Sequence, residues 1–368
     1  MLCLDVVQII CDFCDLKTQI NLIKTCKEYE ENLKIWKLTC TDTINPQITQ
    51  EILQQQKFNQ LRYLDASNNR KITNVNHLRD TLIVLDCHDE CGIDQKGINE
   101  LRKLQILDVH LNRKITNVNH LKYTLIVLDC NGCGIDQEGI NELQKLQKLN
   151  ANQNIKIINV NHLKDILIEL HCRWYCGIEQ EGINELRTLQ ILYASDNDKI
   201  TNVNHLKDTL IELHCLDNCG IKQDGINELR KLQKLNAWDN AKITNANHLK
   251  DTLIELNCGK DCGIGQDGIN ELRKLQKLYA PRNIKITNVN HLKDTLIELY
   301  CNGTCGIDQE GINELRKIQI LNAWCNDKII NVNHLQDTLI ELYCWGICGI
   351  HKEGINELRK LQKLYVYK

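Results

Sequence analysis

The sequence predicts an α/β solenoid, with short parallel strands on a concave face and helical or 3₁₀ returns on a convex face, preceded by a small helical head. Three observations predict it. The stretch that begins at Leu82 recurs at Leu125, Leu167, Leu210, Leu253, Leu296 and Leu339, in steps of 43 residues except one of 42. Each unit holds two halves built on one skeleton, L-x-x-L-x-C-x-x-x-C-G-I (Leu210, Leu213, Cys215, Cys219, Ile221) and L-x-x-L-x-A-x-x-N-x-x-I (Leu232, Leu235, Ala237, Asn240, Ile243). The chain also has only two prolines, Pro46 and Pro281, and no Gly/Ser-rich linker to divide it. Self-similarity at a fixed period of this length marks stacked repeats, each burying its apolar side against its neighbours.

Residues 1–37 do not repeat. Their apolar residues have helical spacing: Leu4, Val7, Ile10 and Cys11 can share one face, and Ile20, Ile23 and Cys26 another after a break at Asp15. Residues 38–60 read as a degenerate first repeat, Ile35-x-x-Leu38-x-Cys40, with the Gln-rich stretch from Ile48 to Gln60 as its helical return and Trp36 at the seam. Residues 61–368 carry the 43-residue double repeats, some fifteen strands in all.

Within a unit, the skeleton residues point inward. In the Cys half an acidic or polar residue near the start of the return (Asp94, Asp136, Glu179, Asp308) suits a helix N-terminus, and Ile226 and Leu229 face the core. In the Ala half the spacing of Ile72, Val75 and Leu78 at every third residue predicts a 3₁₀-like turn. The Asn column (Asn69, Asn112, Asn154, Asn197, Asn240, Asn283, Asn326) is expected to be buried and bonded to backbone groups that the turns leave unpaired. The His column (His77, His120, His162, His205, His248, His291, His334) should point outward or sideways as a convex-side ladder.

Twenty cysteines invite a metal or disulfide reading. Equivalent cysteines of successive units lie two strands apart, near 10 Å, too far to share an ion or form a disulfide. Free Cys behaves as a small apolar residue, so the columns Cys87/Cys91 through Cys344/Cys348 are expected to be core ladders, with no metal and no cofactor. With 45 basic against 48 acidic side chains the net charge is −3, which gives no field toward nucleic acid or an anionic membrane. The opening MLCLDVVQIICDFC lacks a basic segment and carries Asp5 and Asp12, a poor signal peptide, and no run of about 18 apolar residues follows. The expected location is the cytoplasm or nucleus, with thiols reduced. No nucleophile triad, phosphate loop or acid/base pair stands out, so no enzyme is expected.

Both half-unit skeletons resemble leucine-rich repeats of the cysteine-containing type, over about five sixths of the chain. The head resembles an F-box at Leu4, Val7-Ile9-Ile10, Asp15-Leu16, Ile20-Leu22-Ile23, Thr25-Cys26-Lys27 with Tyr29, and Trp36, departing from the motif at Asp5 and Cys14. An F-box followed by leucine-rich repeats resembles the substrate receptors of Skp/cullin/F-box ubiquitin ligases. That resemblance implies a Skp-type adaptor bound through Leu4, Ile9, Ile10 and Leu16, and a protein target on the concave face. The rival readings are an interaction scaffold whose helical head only caps the repeats, and a thiol-rich metal-binding protein. The abundance of Ile, Asn and Lys suggests an AT-rich genome, such as that of an amoeba or a giant DNA virus.

The units differ most at the outward strand positions. One such column runs Asp65, Asp86, Asp108, Asp129, Asn150, His171, Tyr193, His214, Asn236, Asn257, Tyr279, Tyr300, Asn322, Tyr343, Tyr365, from acidic to aromatic. Tyr and Trp are enriched at binding hot spots, which nominates Trp174, Tyr193, Trp238, Tyr279, Tyr300, Trp324, Tyr343 and Trp345 as target-binding residues. The sequence ends within LQKLYVYK, where Leu361, Leu364 and Val366 would have one neighbouring rung; weak self-association or a covering partner is expected there, moderated by Lys363 and Lys368.

Overall fold

The computed structural model describes residues 3–41, 43 and 47–366. Pro46, Tyr367 and Lys368 lie outside the described residues. The chain divides into two compact units, Met1–Leu170 with Tyr175–Gly177, and His171–Trp174 with Ile178–Lys368.

The first unit opens with three helices, α1 (Leu4–Asp12), α2 (Leu16–Ile23) and α3 (Lys27–Asn32). Asp15 starts α2 by accepting a hydrogen bond from the Thr18 amide. Val7 and Cys11 are the buried residues of α1, and Ile23 that of α2. The expected grouping fails at two places. Ile10 is 45 % exposed rather than buried with Val7 and Cys11, and α2 ends at Ile23, so Cys26 becomes the exposed residue before α3. Gln8 fastens α1 to the chain ahead of the first strand, donating to the Lys34 carbonyl (2.9 Å) and accepting from its amide (2.8 Å).

Sixteen strands of three residues follow among the described residues, one more than the repeat count because the degenerate repeat forms Lys37–Thr39. Its return is helical as expected, with α4 (Gln50–Leu53) and a 3₁₀ turn at Gln56–Phe58. In the first unit, strands from Lys37–Thr39 to Lys148–Asn150 pair in parallel, each with the next in sequence and in register. In the second, the same holds from Ile191–Tyr193 to Lys363–Tyr365. The register aligns the middle leucines, Leu213 with Leu235 and Leu256, and these are buried. A fully buried Leu contributes about 1.5–3 kcal/mol, so the skeleton column supplies much of the force that stacks the repeats.

The Ala-half returns are 3₁₀ turns, as at Asn204–Leu206 and Asn247–Leu249. The Cys-half returns are shorter than a helix. Only α5 (Gln95–Ile98) is α-helical, and Gln180–Gly182 and its successors are 3₁₀. Asp94, Asp136 and Asp308 accept from the amides of Gly97, Gly139 and Gly311 as expected of capping residues. Glu179 does not: its longer side chain meets Lys199 at 2.6 Å instead. Glycine follows the second cysteine of each unit for a steric reason. At Gly220 a Cβ would collide with the carbonyls of Asp198 and Ile200 on the preceding rung. In the unit shortened by one residue, Gly132 closes the Cys130–Cys133 turn at φ 57°, a left-handed value that glycine takes without strain.

The buried asparagines tie each turn to the one before it. Asn240 donates to the carbonyls of Cys215 (2.7 Å) and Ile221 (3.4 Å) and accepts from the Lys242 amide (2.9 Å). Asn112, Asn197, Asn283 and Asn326 repeat the pattern. The cysteines line the same turns. Burial pushes the thiols of Cys87, Cys215, Cys258 and Cys301 far above the usual range, and those of Cys219, Cys262 and Cys305 to about 11. The histidine column is exposed, with Nε2 of His120, His162, His291 and His334 held 3.0–3.1 Å from a carbonyl of the preceding rung.

Candidate functional sites: the strand face and the outer face of the first helix

Side chains at the first and third positions of every strand leave the sheet on the face opposite the core, because strand residues alternate sides. In the second unit this face is aromatic. The Tyr193 ring stacks between His171 (centroids 4.2 Å apart) and His214 (4.1 Å). Its hydroxyl donates to Glu212 at 3.2 Å, and His214 meets the same carboxylate at 2.7 Å. Burial pushes the Glu212 carboxyl upward, but bonds from His214 and Lys234 outweigh it and hold the group below its ordinary value.

Further along, Tyr279 and Tyr300 lie 4.7 Å apart, Tyr343 and Tyr365 4.3 Å, and Trp324 and Trp345 4.8 Å. Glutamate and lysine alternate beside them: Lys234 reaches Glu212 at 3.2 Å, Lys277 reaches Glu298 at 2.8 Å and Lys363 reaches Glu341 at 2.7 Å. Burial and the nearby carboxylates push the Tyr279 hydroxyl far up, and burial with the Glu341 bond takes Tyr343 to about 12, so both phenols stay protonated donors. Trp238 packs over Gly259, where any side chain would strike its ring. The nominated aromatics thus form stacked groups rather than one patch. Trp174 stands beside Arg173, whose guanidinium lies 4.8 Å from the ring centre. Between these groups lies a shallow hollow lined by Glu212, His214, Lys234, Asn236, Asn257 and Tyr279.

In the first unit the same column is acidic, and two residues not singled out by the repeat pattern join it. His88 and His110 follow Asp86 and Asp108 by two positions, on the same face. Their rings stack with centroids 5.2 Å apart. The sequence signal is the pair Leu85-Asp86-Cys87-His88 and Leu107-Asp108-Val109-His110 on neighbouring strands.

A second candidate site lies on α1. Val6, Ile9, Ile10 and Phe13 are 43 %, 57 %, 45 % and 89 % exposed, while Leu4 and Leu16, the latter on α2, are half-buried and not part of this stripe. Two of the four nominated adaptor residues, Ile9 and Ile10, are therefore together on the outer face.

This architecture is that of the leucine-rich repeats. The fold is a leucine-rich-repeat solenoid. The functional domain of InlJ from Listeria monocytogenes, which includes a cysteine ladder, superposes with a TM-score of 0.56 at 22% identity, covering 79% of this chain and 64% of its own. This chain therefore spans somewhat less than two thirds of that relative's length. A leucine-rich-repeat protein of Leptospira interrogans superposes with a TM-score of 0.57 at 19% identity over 95% of this chain and 98% of its own. No protein-family model and no curated protein matches the sequence. Among the described residues no helix of this leucine-rich-repeat chain is long and apolar enough to cross a membrane.

Proposed function

We propose that this chain is a substrate receptor of a cullin-type ubiquitin ligase, whose head docks on a Skp-type adaptor and whose strand face holds a protein target. The observation that carries it is the outer face of α1. Val6, Ile9, Ile10 and Phe13 follow one another at i, i+3, i+4 and i+7, the spacing of a continuous helical stripe. A helix that only capped the first repeat would need one apolar face, and Val7 with Cys11 already supplies that. The second stripe meets water, and burying it against a partner would be favourable by roughly 25 cal/mol per Å². It contains Ile9 and Ile10, two of the four residues that the F-box resemblance implies for the adaptor contact, while Leu4 and Leu16 are half-buried outside it.

The target side rests on Trp174, Tyr193, Trp238, Tyr279, Tyr300, Trp324, Tyr343 and Trp345. Stacking of Tyr193 between His171 and His214, of Tyr279 on Tyr300, of Trp324 on Trp345 and of Tyr343 on Tyr365 fixes those rotamers before any partner arrives, which lowers the entropic cost of binding. The chain acts by holding proteins together rather than by catalysis.

The test is co-purification and titration with a Skp-type adaptor, using the parent and the Ile9→Asp/Ile10→Asp variant. Both isoleucines are exposed in the free chain, so the variant keeps its fold by circular dichroism. In the complex it would bury unpaired carboxylates, costing several kcal/mol and abolishing binding. A parent that binds no adaptor, or a variant that binds as well as the parent, leaves the head as a cap and the protein as a plain scaffold.

A further inference from the structure

We infer that the strand face of the first unit carries a binding site for one divalent transition-metal ion of the zinc class, with His88, Asp108 and His110 as ligands. One ligand atom from each of the three lies within 4.8 Å of the other two. Ligand atoms around a tetrahedral zinc at about 2.1 Å sit ~3.4 Å apart, so the gap closes by side-chain rotation of an ångström or so. Among the described residues this is the one such group of three or more.

Four features separate it from an incidental surface cluster. The first is register: Asp86 pairs with Asp108 and Asp108 with Asp129, so the two strands hold the Asp-x-His segments side by side on a rigid sheet. The second is an outer partner. Asp86 Oδ1 lies 2.5 Å from His88 Nδ1, the kind of carboxylate–imidazole contact that orients a metal-ligating ring, and Nε2 lies 3.5 Å from Asp89 Oδ2. The third is that one oxygen of Asp108 is already held by the His110 amide at 2.9 Å, which fixes the carboxylate while its other oxygen stays available.

The fourth is charge. Asp65, Asp86, Asp89, Asp108 and Asp129 crowd this face around two imidazoles, and Val84, Ile106 and Val127 flank it on the same side of the strands. These like charges lie close together on one face and repel one another. A divalent cation relieves that repulsion. Two imidazole nitrogens and one carboxylate oxygen are a borderline donor set, suited to zinc or cobalt(II) rather than to calcium or magnesium. Three protein ligands leave a coordination position open toward solvent, where a side chain of a bound protein could complete the shell. The ladder cysteines of these repeats, Cys87, Cys91, Cys130 and Cys133, take no part, since they are buried in the core.

The experiment uses the full chain, stripped with a chelator and titrated with Zn²⁺ and with Co²⁺. Expected is saturable binding of one ion per chain, and a visible cobalt spectrum lacking the near-ultraviolet band of thiolate ligation. His88→Ala/His110→Ala should abolish it. Asp86→Asn, which disturbs only the outer partner, should weaken it about 10- to 100-fold. His120→Gln on the other side of the same repeats should leave it unchanged. Should the double variant not fold, His110→Gln alone, on a half-buried strand-face residue, provides the same comparison. Absence of stoichiometric binding by the parent, binding that survives loss of both histidines, or a thiolate band would each overturn the assignment.

Discussion

Removing one rung of the asparagine ladder gives a stability change that can be worked out from its bonds. Asn240 is 1 % exposed and serves three backbone groups, the carbonyls of Cys215 and Ile221 and the amide of Lys242. In Asn240→Ala two good bonds and one long one disappear, and the small side chain admits no substitute. An orphaned buried polar group costs about 1–3 kcal/mol. Counting the Lys242 amide and the Cys215 carbonyl fully and the 3.4 Å bond lightly, the loss is about 3–5 kcal/mol, a large part of a typical folding free energy of ~5–15 kcal/mol. Repeat proteins couple mainly to nearest neighbours, so the damage should centre on the turns at Cys219 and Lys242. Urea unfolding followed by circular dichroism gives the global change, and hydrogen exchange at the Lys242 amide gives the local one. Asn218→Ala, at an exposed position, is the control and should stay within about 0.5 kcal/mol of the parent. A change below about 1 kcal/mol for Asn240→Ala, or one equal to the control's, would refute the ladder as a source of stability.

Two further outcomes follow from the thiols and the histidines. In the native chain a maleimide should label exposed Cys3 and Cys26 promptly, and Cys87, Cys215, Cys258 and Cys301 only after unfolding, because burial suppresses their thiolates; peptide-level mass spectrometry would expose the error if Cys215 reacted as fast as Cys26. The histidine column is held below its ordinary pKa, first by desolvation and against its carbonyl bonds, so the unfolded chain takes up protons first as pH falls. Its contribution to stability is complete above about pH 6.5 and is lost as pH drops through the depressed values. His248→Gln should flatten that slope by a fraction of the ~1.4 kcal/mol per pH unit of one proton, the exposure of the ring reducing it. Urea midpoints at neutral and mildly acidic pH test this, and an unchanged or steeper slope in the variant would contradict it.

The repeat period made most of the fold readable because steric equivalence writes itself into sequence. A core slot between two leucines accepts Leu, Cys or Ala and little else, so Leu213, Cys215, Ala237 and Asn240 stand out as columns. Polar ladders on the return side were harder to see. Gln223 accepts from the amides of Thr244 and Asn245 and donates to the Asn245 carbonyl, clamping one return to the next, yet a partly exposed Gln carries no apolar period. The Cys-half returns are short for a related reason: Gln180–Gly182 has a capping-like residue before it but too few residues to wind a full helix. At the sites the difficulty reverses. A residue that departs from its column, as His88 and His110 do, looks like noise to an argument built on repetition, and only the strand register shows that the two departures are adjacent. Likewise, Ile10 fits a helical apolar stripe in sequence, but which of two such stripes on α1 faces the body depends on how Gln8 fastens the helix to Lys34.

The bonds that join successive turns have a genetic corollary. Asn240 answers to Cys215 and Ile221, and Gln223 to Thr244 and Asn245, so those ties close within residues 210–252. Among the ties across the boundary is Asn204 to the Asp224 carbonyl and the Glu228 amide, and Asn247 makes the same pair of bonds to Asp267 and Glu271. Deleting that 43-residue block therefore hands Asn204 an equivalent acceptor and donor in the next block, and duplicating it does the reverse. Unequal crossing-over between near-identical gene segments produces just such deletions and duplications. The chain can therefore lengthen or shorten its strand face in quantised steps of two strands, about 9.6 Å each, with every inter-turn tie of this kind preserved.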